Sequence, residues 1–86
     1  MPGTLIKTVY FASTLNGVVA LEEFEDYKYV EHTVSQVIQK IRDTFNTSPF
    51  GIIAILRGDK LTYMTPEPDD ETKEEVERKI KELFRH

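Results

Sequence analysis

The chain predicts an α+β domain of order ββαββα, a four-stranded sheet of two β-hairpins with two helices packed on it. Two stretches rich in β-branched and aromatic residues are each interrupted by a turn signal, Asn16-Gly17 in the first and Gly58-Asp59 in the second. Each hairpin is followed by a stretch in which apolar residues recur at the helical spacing of about 3.6 residues. With 86 residues the chain makes a single domain over 1–86, large enough to fold without a metal or disulfide staple.

The first hairpin runs from Leu5 to Phe24. A type I′ loop at Asn16-Gly17 sets Leu15 opposite Val18, Phe11 opposite Glu22 and Val9 opposite Phe24. One face then collects Leu5, Val9, Phe11, Leu15, Val18, Ala20 and Phe24, and the other Ile6, Tyr10, Ala12, Val19, Leu21 and Tyr27. Neither face is fully polar. Four acids, Glu22, Glu23, Glu25 and Asp26, crowd the end of the hairpin.

A helix follows, with Val30, Val34, Val37, Ile38, Ile41 and Phe45 on its apolar stripe. Thr33 and Gln36 fit a capping box at its start, and Asn46 suits a left-handed stop. Pro49 prevents the helix from continuing. From Phe50 to Met64 the unbroken run Ile52-Ile53-Ala54-Ile55-Leu56 predicts a strand buried on both faces, since a half-exposed strand alternates apolar with polar residues. Gly58 supplies the positive φ that the first position of a II′ loop requires, so Arg57 and Lys60 close a tight hairpin. Thr72 and Glu75 form a second capping box, from which Val76, Ile80, Leu83 and Phe84 make the apolar stripe of a last helix.

The hairpin, helix and short hairpin at Ile55 to Leu61 resemble the order of the ubiquitin-like β-grasp. The fifth strand and the Gly-Gly tail of ubiquitin-like modifiers are absent, the chain ending Leu83-Phe84-Arg85-His86. The resemblance therefore implies fold order and no conjugation chemistry.

Composition narrows the function classes. A net charge of −4 offers no field for phosphate, which argues against nucleic acid as a partner. No apolar stretch approaches the roughly 20 residues that span a bilayer, and the start Met1-Pro2-Gly3-Thr4 lacks a basic region before an apolar core, so a soluble, cytoplasmic protein without membrane contact is expected. Cysteine is missing, which excludes thiolate nucleophiles and cysteine-held metals. His32 has no sequence context of orienting acid and nucleophile, Ser13, Ser35 and Ser48 lie in no nucleophile elbow, and no glycine-rich phosphate loop occurs. The expectation is no enzyme and no cofactor.

What remains is surplus apolar surface. If both helices pack on the side of Val9, Phe11, Phe24, Ile53 and Ile55, the opposite side presents Tyr10, Ala12, Leu21, Ile52, Ala54, Leu56 and Tyr63, together with Ile6 and Val19. Such a face exceeds the few hundred Å2 typical of a monomer's largest apolar patch. It is expected to bind a protein partner or a second copy, making the chain a small non-enzymatic interaction module (subunit, adaptor or inhibitor) that works through a sheet face or edge. The alternative is a small-molecule or divalent-ion-binding domain, with its site in a pocket or across a dimer interface. Helices on opposite faces of the sheet would bury both apolar sets.

Overall fold

The computed structural model describes residues 5–26 and 34–84. Its elements are β1 (Leu5–Thr14), β2 (Gly17–Asp26), α1 (Val34–Phe45), β3 (Gly51–Arg57), β4 (Lys60–Tyr63) and α2 (Asp70–Leu83), the expected ββαββα order. The strands form one antiparallel sheet, β2-β1-β3-β4. The hairpins thus meet through β1 and β3, leaving β2 and β4 as edges. Tyr27, Val30, His32, Thr33 and His86 lie outside the described residues.

The doubly buried strand is β1, not the Ile52 to Leu56 run. Thr8, Val9, Tyr10, Phe11, Ala12 and Thr14 are all buried, whereas in β3 only Ala54 and Leu56 are. The reason is position, because β1 has a ten-residue strand beside it and contributes to two cores. Val9 and Phe11 pack with Val18, Ala54, Leu56 and Val76 of α2. Tyr10 and Ala12 pack with Leu21 and with Val37 and Ile41 of α1. Successive strand residues point to opposite faces, so the helices lie on opposite faces and the domain has three layers. The helices thereby cover the middle of both apolar sets of the first hairpin, while Leu15 and Phe24 stay exposed.

Two local devices set the pairing registers. Along β3 the pairing steps from Phe11 opposite Ala54 to Ala12 opposite Ile52, leaving Ile53 as the extra residue of a β-bulge. The alternation shifts there: Ile52 and Ile55 pack toward α1, while Ile53, Ala54 and Leu56 pack toward α2. At the first turn the loop is Leu15-Asn16, and Thr14 pairs with Gly17. Only Gly17 takes positive φ there, at 101°, which rules out the expected I′ loop with Asn16 left-handed. The Thr14 hydroxyl holds this loop, accepting from Asn16 N–H at 3.0 Å and donating to Gly17 O at 2.9 Å. The pairing slips by two residues, Phe11 meeting Ala20, and a slip of two preserves the faces.

Helix ends follow sequence more closely. Asn46 ends α1 at φ 53°. Helix α2 starts earlier than the Thr72 box predicts, because Asp69, extended at φ −70° and ψ 170°, is the N-cap and accepts the Thr72 N–H at 2.8 Å. Glu75, released from the capping role, turns toward the first hairpin. Hydrogen bonds from the Thr72 side chain and backbone hold the Asp69 carboxyl below its ordinary value of 3.8. A depressed carboxyl stabilises the fold above its unfolded pKa and loses that contribution as pH falls through the folded one. Asp69→Ala is therefore expected to lower the melting temperature at neutral pH. The gap to wild type should narrow in scans taken below the ordinary value of 3.8.

The second hairpin turns at Gly58-Asp59, with Arg57 opposite Lys60 and positive φ (64°) at Gly58 alone. That is the II′ pattern. A Cβ at Gly58 meets open space, so a side chain there is opposed by backbone strain and not by a clash. Gly58→Val should lose on the order of 1 to 3 kcal/mol in urea unfolding, and Gly51→Val, where φ is not left-handed, should lose less. Equal midpoints for wild type and Gly58→Val would contradict the turn assignment.

Candidate functional site

The residues expected to form an open sheet face do not share one. Tyr10, Ala12 and Leu21 are buried on the α1 side, Ala54 and Leu56 are buried on the α2 side, and Ile52 and Tyr63 are half-buried on the α1 and α2 sides respectively. Helix α1 covers the first group, and the bulge at Ile53 separates Ile52 from Ala54 and Leu56. Tyr63 lies under Lys73, whose Nζ is 5.2 Å from the ring centre. Burial, then the Glu77 charge, raises the Tyr63 phenol above its ordinary value. Its hydroxyl oxygen is buried without a hydrogen-bond partner. Tyr10 and Ile52 meet again beside α1, where they line a cavity of about 150 Å3 with Val34, Ile55 and Met64. Ligand sites commonly measure about 300 to 1,000 Å3. Among the described residues no three His, Cys, Asp or Glu side chains gather as a metal site.

A buried face and an open one respond differently to charge. Tyr10→Glu should cost about 3 kcal/mol or more, since a carboxylate there loses its water. Thr62→Glu, at an exposed position of β4, should stay close to wild type. Denaturant midpoints of the two variants check this, and a Tyr10→Glu midpoint equal to that of wild type would mean that α1 does not cover the strand.

Among the described residues, what stays open is the outer edge of β2. Ser13, opposite Val18, directs its carbonyl away from β2, where it accepts the Phe50 N–H at 2.7 Å. The Val18 N–H correspondingly points off the sheet edge, where Glu75 Oε2 of α2 accepts it at 2.8 Å. Antiparallel ladders alternate, and the β1–β2 register is unbroken. Ala20, Glu22 and Phe24 therefore also direct their backbone groups outward. Glu75 holds the turn end of this edge closely: a Cβ at Gly17 would stand 2.8 Å from the same carboxylate oxygen.

The two helices make walls for this edge. A cavity of about 450 Å3 is lined by Val19 and Ala20 of the strand, Phe45 at the end of α1, and Lys79, Glu82 and Leu83 near the end of α2. Phe24, farther along the edge, is 68% exposed. Lys7 pairs with Glu22 and Lys40 with Glu23. Both pairs keep much of their access to water, which limits each to about 1 kcal/mol or less. Lys7 Nζ also stands 5.3 Å from the centre of the Phe84 ring.

The chain matches no family model, no curated protein and no solved structure. Its candidate site thus rests on geometry alone.

Phe45, Leu83 and Glu75 enter the site without having been singled out for it, since each was assigned to a helix stripe or cap. Their convergence depends on sheet order and on which face each helix takes. One signal was available in the acid run Glu22 to Asp26, because charge on a strand is a common device of sheet edges.

Proposed function

We propose that this protein is a small non-enzymatic interaction module that accepts an extended segment of a partner protein as a fifth strand on the outer edge of β2. The observation that carries this reading is the outward-facing backbone from Ala20 to Phe24 beside a groove walled by both helices. Strand addition uses main-chain hydrogen bonds for affinity and flanking pockets for alternate side chains. Here Ala20 is small and leaves room next to the backbone, while Phe45, Leu83 and the exposed Phe24 offer apolar contacts above and below an added strand. The reading keeps the class of function expected from the sequence and moves its surface from the sheet face to the sheet edge, since helices cover both faces.

A proline substitution isolates the backbone contribution. Glu22 is exposed and its N–H faces outward, so Glu22→Pro should fold, proline being tolerated at such edge positions. Glu22→Thr removes the same side chain and keeps the N–H. Proteins retained from a native extract by wild type and by Glu22→Thr should be lost with Glu22→Pro, with circular dichroism verifying that all three are folded. Equal retention by the proline variant would count against strand addition.

A further inference from the structure

The charge on β2 narrows what the added strand can be. Residues 22–26 of the strand include four carboxylates, and Gly17–Asp26 contains no lysine or arginine. Lys7 and Lys40 answer two of the acids, Glu22 and Glu23. Lys79 and Glu82 in the groove offset one another in charge. Glu75 adds a further carboxylate at the turn end, spent on the Val18 N–H. By sequence the strand therefore carries more acid than base along the line where a fifth strand would run.

A second copy of β2 fits this edge poorly. An antiparallel self-pairing that sets Ala20 opposite Phe24 places Glu22 against its own copy, and the next register outward does the same to Glu23. Like charges directly opposite are destabilising. Registers that bring Ala20 opposite Glu22, or opposite itself, require the Val18 N–H for the ladder, and Glu75 already holds it.

We infer that the strand β2 accepts is a basic extended peptide, with Lys or Arg at the positions facing the acidic half of the edge and small apolar residues facing Ala20. This rests on the edge-docking reading and adds the chemistry of the partner. Apolar side chains of the peptide meet Phe45 and Leu83, and its cations meet Glu22 and Glu23. The same acids that deter self-association thus select the partner.

Three blocked synthetic peptides test this, each of about seven residues, which at ~3.4 Å per residue matches Val18 to Phe24. All carry small apolar residues in the half that faces Val18 to Ala20 and, at the remaining positions, a second residue that is Lys, Gln or Glu. Each is titrated into the isotope-labelled full chain while amide shifts are followed. The Lys peptide is expected to give saturable shifts centred on Ala20, Glu22 and Phe24 and to bind roughly tenfold more tightly than the Gln peptide at low salt. That advantage should shrink between about 50 and about 300 mM salt, and the Glu peptide should leave the edge amides unmoved. A Glu22→Gln/Glu23→Gln variant, with wild-type dichroism, should bind the Lys peptide several-fold more weakly. Equal binding of Lys and Gln peptides at the edge would overturn the charge inference and leave strand addition standing. Lys-peptide shifts spread over the acidic residues of α2 without the edge would overturn the inference as non-specific attraction. Edge amides that respond to none of the three would overturn both.

Discussion

The structure depends on β1 being buried on both faces. Its side chains alternate between two helix-covered cores, Val9 and Phe11 with Val76 on one side, Tyr10 and Ala12 with Val37 and Ile41 on the other. A strand of this kind needs hydrogen-bonded neighbours on both edges, because a buried backbone group without a partner is costly. β2 and β3 supply them, which joins the two hairpins into one sheet. Once both faces are covered, the sheet has nothing left to offer except its edges.

The edges differ in how they are guarded. β4 is four residues long and leaves little ladder to extend. β2 is ten residues long, and its outer side is managed by side chains: Glu75 at the turn, acids toward the far end, and helix residues above and below the middle. Long edges invite pairing with other chains, and charge on them restrains it. Glu75 links this edge to the fold itself, since the carboxylate that closes the Val18 N–H is carried by the helix that buries Val76. Loss of α2 docking would open the turn end of the edge.

Asp69 and Glu75 show how one local choice reaches a distant site. Thr72 and Glu75 have the spacing of a capping box, yet Asp69 caps the helix three residues earlier. The earlier start places Glu75 within the helix and frees its carboxylate for a backbone donor fifty-seven positions away in sequence. A local motif gives way here because the two donors compete for oxygen atoms, and the hairpin donor has no other described partner.

Elements were legible in the sequence because local physics sets them. Asn46 and Gly58 have the conformations their chemistry favours, and the element order follows from periodicity, as do the buried Val37, Ile41 and Val76 of the helix stripes, although Val34 and Phe84 are exposed. The two faces of the first hairpin were also legible, and a two-residue register slip at Leu15-Asn16 left them intact because strand side chains repeat every second residue. Only tertiary structure decided which strand lies at the centre, where Ile53 bulges, and that the helices take opposite faces. Apolar periodicity records that a face is buried and not what buries it, so Tyr10, Ala12 and Leu21 read equally as an interface or as a core. The candidate edge was illegible for the same reason: Ala20, Phe45 and Leu83 come from three elements, and strand order alone brings them together.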